Sequence, residues 1–527
     1  MDILEESNMS SKVTSIGLKG LQGYVVQAEV QVMDGLESIV IVGLPDASVK
    51  ESKERVSATL HSMGFPLVDM KVVINLSPAE QKKNGPLFDL AIALGVLKSG
   101  DFLKENIPDD AAFIGALSLD GSVLPVEGMI AAVLAAKKLN LKRLFLPFDP
   151  TLPKIEMDDL ELIYIQSLQD VIDIFSGQPP LSFDQPEAVK DEEQVVDKDF
   201  QQVIGHDFAK WALEIAAAGE HYVLMDGPPG CGKSLLAETF PSILPSLSKE
   251  AQLEKMSLYQ LAGADDSSLS MPPYRHPHHS ASAVSLIGGG TNPKPGEVSL
   301  AHRGVLFLDE LAEFSKKTLD MLRQPLENEQ VTISRVHSTV TYPAKFIFLA
   351  AMNPCPCGYF GSKTQYCTCS KKQIQTYQNR VSGPVLDRID ILLSLKSVHL
   401  KGHDFQGIES SEVIKQRVQI ARERQYQRYG EKVCNGSVPY EHLLKMSPLT
   451  GEQQQLIQRL SVREALSNRV QIKMIRLART IADVKGENEI SDESLLEAMT
   501  LRKLSRPTLD TKLLTGEKRT IDDYIKR

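Results

Sequence analysis

A glycine-rich segment between a strand pattern and a helix pattern carries the clearest chemistry in the sequence. It consists of Gly227, Pro228, Pro229, Gly230, Cys231, Gly232, Lys233, Ser234 and Leu235, and it contains the phosphate-binding pattern G-x-x-x-x-G-K-S. Glycines let the backbone approach phosphates, whose charge is met by free N–H groups. Lys233 is expected to reach the β- and γ-phosphates, and Ser234 to bind Mg²⁺. The flanking strand and helix patterns favour a nucleoside triphosphate site over a chance glycine-rich turn.

Two adjacent carboxylates follow a second apolar run, Val305–Leu308. Such a run is typical of a buried parallel strand, which would present Asp309 and Glu310 at its carboxyl end. Asp309 is expected to hold Mg²⁺, and Glu310 to polarise the attacking water. The alternative is a structural pair of buried carboxylates, which would need polar partners.

Two further segments resemble AAA+ ATPases. The apolar run Phe346–Met352 ends at Asn353, which resembles the sensor 1 position that helps to place the water. The segment Ser382–Asp390 resembles the arginine-finger loop of the magnesium chelatase and MCM branch, with Arg388 as the finger. An arginine from a neighbouring subunit can stabilise transition-state charge, so this reading requires an oligomer. The alternative for Arg388 is an ion pair with a nearby aspartate, Asp387 or Asp390.

The last part of the chain has helical patterns at 411–429 and 463–484, and Ser491 is a good helix start. This part resembles the AAA+ lid. The resemblance assigns Arg469 to the sensor 2 position, with Arg476 and Arg479 as weaker candidates. For Arg469, a solvated basic helix face is the alternative.

The first part of the chain, from about residue 12 to 178, alternates short apolar runs with helical patterns, which predicts a mixed α/β domain. Segments 84–86 and 115–128 resemble the proteolytic domain of Lon proteases. Where that family has its serine and lysine, this chain has Leu87 and Ile130, which supply neither hydroxyl nor amine. We therefore predict a Lon-like fold without protease activity. Ser77 or Lys83 in another dyad is the remaining alternative.

An unusual segment separates the two nucleotide motifs. Segments 274–282, 286–290, 293–297 and 301–304, with the carboxylates that follow, resemble magnesium chelatase-like proteins of the ComM/YifB type. The resemblance extends over nearly the whole chain. It implies a hexameric, cytoplasmic AAA+ ATPase that uses ATP and Mg²⁺ to drive branch migration of DNA during natural transformation. A chelatase-type motor acting on a protein partner and a non-motor scaffold are the alternatives. His276, His278 and His279 could bind a metal, but loop architecture is favoured because no carboxylate or thiol stands beside them in sequence.

Four cysteines follow Asn353 in two pairs. The ligand type of Cys355, Cys357, Cys367 and Cys369 matches a structural zinc site. The C-x-C spacing is tighter than the usual one, and reduced thiols without metal are the alternative.

Residues 331–342 alternate like paired strands and predict a β-hairpin. By analogy with helicase-like AAA+ rings, Arg335 and Lys294 are candidates for contact with DNA phosphates. An ordinary surface hairpin is the alternative.

The chain as a whole is predicted to be an α/β multidomain protein: a Lon-like domain at 1–178, an acidic linker at 179–199, an AAA+ core at 200–400, a helical lid at 401–510 and a tail at 511–527. The formal net charge of −10 disfavours a role in coating DNA. No apolar run approaches ~20 residues, and residues 1–6 are acidic, so neither a membrane span nor a secretory signal is expected.

Overall fold

The protein is described here by a computed structural model. It describes residues 10–150, 152, 155, 157, 159–181, 198–264, 268–290, 293–335, 338–362, 365–398, 409–430, 432–464 and 466–502. Most of the expected linker (182–197), the start of the expected lid (401–408), the expected tail (511–527) and residues 1–6 lie outside the described residues.

The N-terminal part of the chain is a mixed α/β structure, as predicted. Its strands are β1 (Ser10–Lys19), β2 (Gln22–Asp34), β3 (Ser38–Val42), β4 (Met70–Ser77), β5 (Ala111–Phe113), β6 (Ala116–Leu117), β7 (Val123–Leu124), β8 (Arg143–Pro147) and β9 (Glu161–Ile165). Its helices are α1 (Ala47–Ser62), α2 (Asp89–Ser99), α3 (Met129–Lys138) and α4 (Leu168–Phe175), and Pro86–Phe88 forms a 3-10 turn. One sheet has the order β1-β2-β4-β3, a second has the parallel order β5-β8-β9, and β6 pairs with β7.

The two residues that replace the Lon-type serine and lysine lie in the core. Leu87 and Ile130 are both buried, and α2 and α3 are apolar around most of their circumference, as expected of helices enclosed by other elements. The alternative dyad is not formed either. The Lys83 ammonium is buried and donates to the carbonyl of Pro78, whereas the Ser77 hydroxyl accepts from the Asn75 amide at 3.5 Å.

The C-terminal part contains the remaining elements. Its strands are β10 (Val223–Asp226), β11 (Tyr274–Arg275), β12 (Gly288–Gly289), β13 (Lys294–Pro295), β14 (Val305–Leu308), β15 (Gln330–Arg335), β16 (Ser338–Pro343), β17 (Ile347–Met352) and β18 (Ile391–Ser394). Its helices are α5 (Asp207–Gly219), α6 (Lys233–Thr239), α7 (Lys249–Ala262), α8 (Ala283–Ile287), α9 (Glu297–Leu300), α10 (Lys316–Met321), α11 (Pro325–Asn328), α12 (Lys371–Gln378), α13 (Gly383–Leu386), α14 (Ser411–Tyr429), α15 (Tyr440–Met446), α16 (Gly451–Glu464), α17 (Asn468–Lys485) and α18 (Asp492–Leu501). Short 3-10 turns span Phe200–Gln202, Phe240–Ile243 and Leu311–Glu313.

A five-stranded parallel sheet organises this part, with the order β11-β14-β17-β10-β18. Strands β10, β14 and β17 are buried along their whole length, which explains why each is a continuous apolar run in the sequence. Strand β17 lies between β14 and β10, so the residues that follow these three strands meet at one edge of the sheet.

The helical C-terminal region differs from the sequence prediction at one point. The predicted helix over 463–484 is wrong at its start, because α16 ends at Glu464 and α17 begins at Asn468. The Ser467 hydroxyl accepts from the Val470 N–H, and serine at this position stabilises a new helix start. The helix over 411–429 and the start at Ser491 are confirmed. None of the described helices is long and apolar enough to cross a membrane.

A buried charge network fastens α14 to α17. Asp483 is fully buried, and its carboxylate accepts from Arg428, from Arg479 at 2.9 Å and from Asn435 at 2.9 Å. Asp483→Ala would leave two buried guanidinium groups without their counter-charge, and it is expected to lower the free energy of unfolding by about 3–5 kcal/mol. Urea unfolding followed by circular dichroism measures this. Asp492→Ala, at an exposed position of α18, is the control, and equal midpoints for the two variants would contradict the prediction.

Candidate nucleotide site

The glycine-rich loop joins β10 to α6, as the sequence predicts. Gly230 and Gly232 have φ angles of +72° and +90°, in the left-handed region that favours glycine. Gly227 has no room for a side chain, because a Cβ there would lie 2.8 Å from the Cys231 sulfur and 2.9 Å from the Leu395 carbonyl oxygen. The loop therefore needs glycine both for its backbone path and for its packing.

The ammonium group of Lys233 is held inside this loop. It donates to the carbonyls of Gly227 (2.7 Å) and Pro228 (3.0 Å) and to the side-chain oxygen of Asn353 (3.1 Å). Asn353 follows β17 directly, so the structure brings these two predicted site residues together across neighbouring strands. The charge of Lys233 is thus fixed at the carboxyl edge of the sheet.

A hydroxyl and a carboxylate meet beside this lysine. The Ser234 hydroxyl donates to the Asp309 carboxylate at 2.8 Å, and the other oxygen of that carboxylate accepts from the Glu310 N–H at 2.8 Å. Hard oxygen atoms of this kind are the ligands that Mg²⁺ prefers, so the donor set fits the predicted magnesium site. Glu310 has a φ of +50°, unusual for a non-glycine residue, and it is exposed.

The segment that contains His276, His278 and His279 contacts the candidate nucleotide site through Glu310. His279 Nδ1 lies 3.1 Å from a carboxylate oxygen of Glu310, a contact that sequence reasoning missed. His278 contacts the Ser280 hydroxyl at 2.8 Å, and the His276 ring packs against Phe307 of β14 with centroids 4.7 Å apart. Among the described residues, only the four cysteines bring three or more His, Cys, Asp or Glu ligand atoms within reach of one ion. The structure therefore gives the histidines a packing role and a contact with Glu310.

The four predicted zinc ligands converge. Their sulfur atoms all lie within 4.8 Å of one another. The separations are 3.4 Å between Cys355 and Cys357, 3.7 Å between Cys355 and Cys367, and 3.5 Å between Cys357 and Cys367. The two C-x-C pairs, which are separated in the sequence, therefore come together in a single cluster of four cysteines.

Arg388 and Arg469 meet at the opposite edge of the sheet. Both guanidinium groups donate to the carboxylate of Glu327, and the hydrogen bond from Arg388 is the main reason why the pKa of Glu327 is lowered. The alternative partners for Arg388 do not form this ion pair; Asp390 instead binds Lys473 at 2.7 Å.

This second cluster lies at the amino ends of the strands. The Asp390 carboxylate accepts from the N–H of Tyr222, the residue just before β10. A cavity of about 460 Å³ is lined by Glu327, Arg388, Arg469 and Lys473. Because the glycine-rich loop lies at the carboxyl ends, Arg388 and Arg469 do not join Lys233 within one chain.

The two weaker sensor 2 candidates have structural partners. Arg476 donates to the carbonyls of Gly436 (3.0 Å) and Val438 (2.5 Å). Arg479 is fully buried against Asp483. Both side chains are therefore held by contacts within the C-terminal region.

The two candidate DNA contacts lie close together. Strands β15 and β16 confirm the predicted hairpin, whose residues 336–337 lie outside the described residues. A second ribbon pairs Gly289 with Lys294, and a Cβ on Gly289 would lie 3.3 Å from Arg335 Nη2. The Tyr342 hydroxyl donates to the Pro293 carbonyl at 2.6 Å, which ties the ribbon to the hairpin. Lys294 and Arg335 are both exposed.

Profiles of known protein families match most of the chain, including the part that contains the candidate nucleotide site. Three family profiles match in succession: subunit ChlI of Mg-chelatase at residues 28–150, magnesium chelatase subunit ChlI at 199–402, and the magnesium chelatase subunit ChlI C-terminal profile at 408–502. A parallel sheet with this loop and these profiles defines a magnesium chelatase-like protein of the AAA+ ATPase type.

Relatives that are similar over more than nine-tenths of the chain identify the family within this class. The chain is 36% identical to YifB of Escherichia coli over 507 residues (94% of this chain and 98% of that protein). It is also 36% identical to the competence protein ComM of Haemophilus influenzae over 499 residues (92% and 96%). Lon protease 2 of Bacillus subtilis is 30% identical over 132 residues, 25% of this chain and 23% of that protease. The chain belongs to the ComM/YifB-type family of magnesium chelatase-like proteins.

Proposed function

We propose that the chain is an ATP-driven, hexameric motor that acts on DNA in the cytoplasm and promotes branch migration of recombination intermediates during natural transformation. The observation that carries the ATPase part is the meeting of Lys233, Asn353, Ser234 and Asp309 at one edge of the parallel sheet. The similarity to a competence protein, ComM, supports the link to transformation.

Each site residue has a role in this proposal. Lys233 binds the β- and γ-phosphates, and Asn353 helps to orient the attacking water that Glu310 polarises. Ser234 and Asp309 hold Mg²⁺, which neutralises charge that develops on the phosphates. Arg388 reaches the site of a neighbouring subunit, because its position at the amino edge of the sheet keeps it away from Lys233 of its own chain.

The domain division enters the proposal as well. Buried residues between 13 and 171 form one apolar core, joined by Leu253, and those from 200 onward form others. The first core supports a Lon-like domain at 1–178. One of the others joins residues of the predicted AAA+ core (200–400) to residues of the predicted lid (401–510), so the division between these two rests on the sequence patterns. The sensor 2 role of Arg469 also belongs to the proposal, as a contribution beside Arg388 rather than beside Lys233 of the same chain.

A chelatase-type motor that remodels a protein partner for metal insertion is the second candidate. The profiles that match the chain carry the name of magnesium chelatase, which is the observation in its favour. The two candidates share the ATP site and differ in what stimulates it.

The deciding experiment measures ATP hydrolysis with and without a four-way DNA junction, together with strand exchange at the junction. Stimulation by the junction, with exchange in the wild type and none in Lys233→Ala or Glu310→Gln, is the result expected of a branch-migration motor. Hydrolysis that is indifferent to every DNA tested would contradict the DNA part and favour a protein partner.

Lys294 and Arg335 allow a sharper test of DNA contact. The double variant Lys294→Ala/Arg335→Ala is expected to lose most of the stimulation by DNA. The slope of log affinity against log salt concentration should fall by roughly 2, because two phosphate contacts are removed. Lys445→Ala/Arg459→Ala removes the same charges from exposed positions on α15 and α16 and serves as the control. Equal slopes for the two double variants would contradict a contact at the hairpin.

A further inference from the structure

The separations within the cysteine cluster match those around a single metal ion. Four thiolates at the usual Zn–S distance of about 2.3 Å define a tetrahedron with edges of about 3.8 Å. Three of the six sulfur separations, at 3.4, 3.7 and 3.5 Å, are close to that edge, and the Cys369 sulfur lies within 4.8 Å of the other three. The Phe360 N–H also donates to the Cys355 sulfur at 3.3 Å, and such hydrogen bonds orient metal ligands.

The same cluster touches the glycine-rich loop. Gly358 lies in a tight turn in which its N–H donates to the Cys355 carbonyl at 2.9 Å, with a φ of +83°. A Cβ on Gly358 would lie 2.5 Å from Cδ and 2.6 Å from Cγ of the Pro229 ring. The turn between the first two cysteines is therefore packed directly on Pro229 of the glycine-rich loop.

The connection continues on the other side of Cys355. Asn353, two residues before the first ligand, accepts from Lys233, and the Met352 carbonyl accepts from the Gly227 N–H at 3.3 Å. Three points between residues 352 and 358 thus contact the loop that would hold the phosphates. A shift of the cysteine segment would be passed to the loop at each of them.

The cysteine segment lies outside the regular secondary structure, and the Gln378 amide donates to its Pro354 carbonyl at 3.0 Å. The described residues between Asn353 and Ser370 contain no helix and no strand, so no ladder of backbone hydrogen bonds fixes their path. Cys355 is fully buried, but the other three cysteines are only half-buried. A crosslink between the two cysteine pairs is the simplest device that would fix such a segment.

We propose that Cys355, Cys357, Cys367 and Cys369 bind one Zn²⁺, and that the metal-closed segment holds the glycine-rich loop in the shape that binds nucleotide. The second part rests on the proposed ATP site. Gly358 acts as a positioning residue, because it reaches the nucleotide only through Pro229. Nucleotide binding by this chain is then conditional on the metal.

The first test is genetic removal of the metal from the full-length protein. Thiol reagents are unsuitable because Cys231 lies in the glycine-rich loop itself. The wild type, purified without chelator, is expected to contain one zinc per chain by elemental analysis. Cys367→Ser/Cys369→Ser is expected to contain almost none and to bind a fluorescent ATP analogue roughly 10- to 100-fold more weakly, which corresponds to the loss of about one hydrogen bond to a charged phosphate.

A second variant separates the contact from the metal. Gly358→Ala keeps all four thiols but forces the turn and Pro229 apart, so it is expected to retain one zinc and still bind the ATP analogue roughly tenfold more weakly or worse. Gly430→Ala is the matched control, since Gly430 has a similar φ of +69° and nothing within 4 Å of its added Cβ. It imposes the same backbone strain without touching the site.

Three results would overturn the inference. They are near-zero zinc in the wild type, iron in place of zinc, or wild-type nucleotide affinity in both Cys367→Ser/Cys369→Ser and Gly358→Ala. Near-zero zinc with intact ATP hydrolysis contradicts the metal site and leaves the proposed function standing. One zinc per chain without any nucleotide binding by the wild type contradicts the ATP site instead, and with it the proposed link. Gly358→Ala carries the test if the cysteine variant does not fold, which circular dichroism reports.

Discussion

Glu310→Gln is expected to slow ATP hydrolysis by roughly 10²- to 10⁴-fold, the range for loss of a general base, while ATP still binds. The substitution keeps the shape of the side chain but removes the negative charge that polarises water. Glu310 is exposed beside the Ser234–Asp309 pair and makes no described side-chain contact with the glycine-rich loop, so the loop should remain intact. Phosphate release measures hydrolysis, and equilibrium binding of a labelled ATP analogue measures affinity.

Glu313→Gln is the matched control for this experiment. Glu313 lies in the same turn, but its carboxylate pairs with Arg380 at 2.9 Å on the surface. Exposed pairs of this kind contribute little, so near-normal hydrolysis is expected. If both variants hydrolyse ATP at similar rates, Glu310 is not the residue that polarises water. If Glu310→Gln loses ATP binding as well, its role is structural.

The nucleotide site could be foreseen because its parts depend on local patterns. Buried parallel strands are continuous apolar runs, and the residues that follow them must meet at one edge of the sheet. The runs before Gly227 and Asp309 were therefore enough to predict that Ser234 and Asp309 lie together, whereas Asn353 was placed there by its resemblance to a sensor 1 residue. No local pattern predicts the contact between His279 and Glu310, because the spacing of the histidines does not show which part of the protein their loop packs against.

The helix break at 466–467 was missed for a related reason. The apolar spacing continues from α16 into α17, so periodicity alone favours one helix. The signal that could have located the break is Ser467 itself, a residue type that favours the position before a helix. The Ser467 hydroxyl accepts from the Val470 N–H and so starts a new helix, although the apolar pattern is continuous across this point.

Contacts between residues that are far apart in the sequence could not be predicted from local patterns. The sequence analysis considered only the neighbouring aspartates as partners of Arg388. In the structure its partner is Glu327, which precedes Arg388 by 61 positions. Glu327 also binds Arg469, which follows it by 142 positions. The approach of Gly358 to Pro229 is equally remote in sequence. Such contacts are set by how strands and helices pack, and no local spacing encodes them.

Arg388→Ala is expected to reduce ATP hydrolysis by roughly 10³-fold or more, the size of effect attributed to an arginine finger. A ring in which one subunit completes the site of the next also predicts complementation. Lys233→Ala inactivates the site of its own chain, and Arg388→Ala inactivates the site of its neighbour. When the two variants are mixed at equal amounts, roughly a quarter of the interfaces pair an intact loop with an intact Arg388. Phosphate release should therefore recover to a clear fraction of wild type.

A mixture of Lys233→Ala with Glu310→Gln is the control, because both lesions fall in the site of their own chain and no intact site can form. Complementation in the first mixture and none in the second would follow only if Arg388 acts across an interface. If neither mixture recovers, although capture of one affinity-tagged variant also retains the untagged one, Arg388 acts within its own chain, and its ion pair with Glu327 is then structural. The arrangement of Arg388 and Arg469 around one carboxylate at the amino edge of the sheet favours the first outcome, since neither residue can reach Lys233 of the same chain without crossing the sheet.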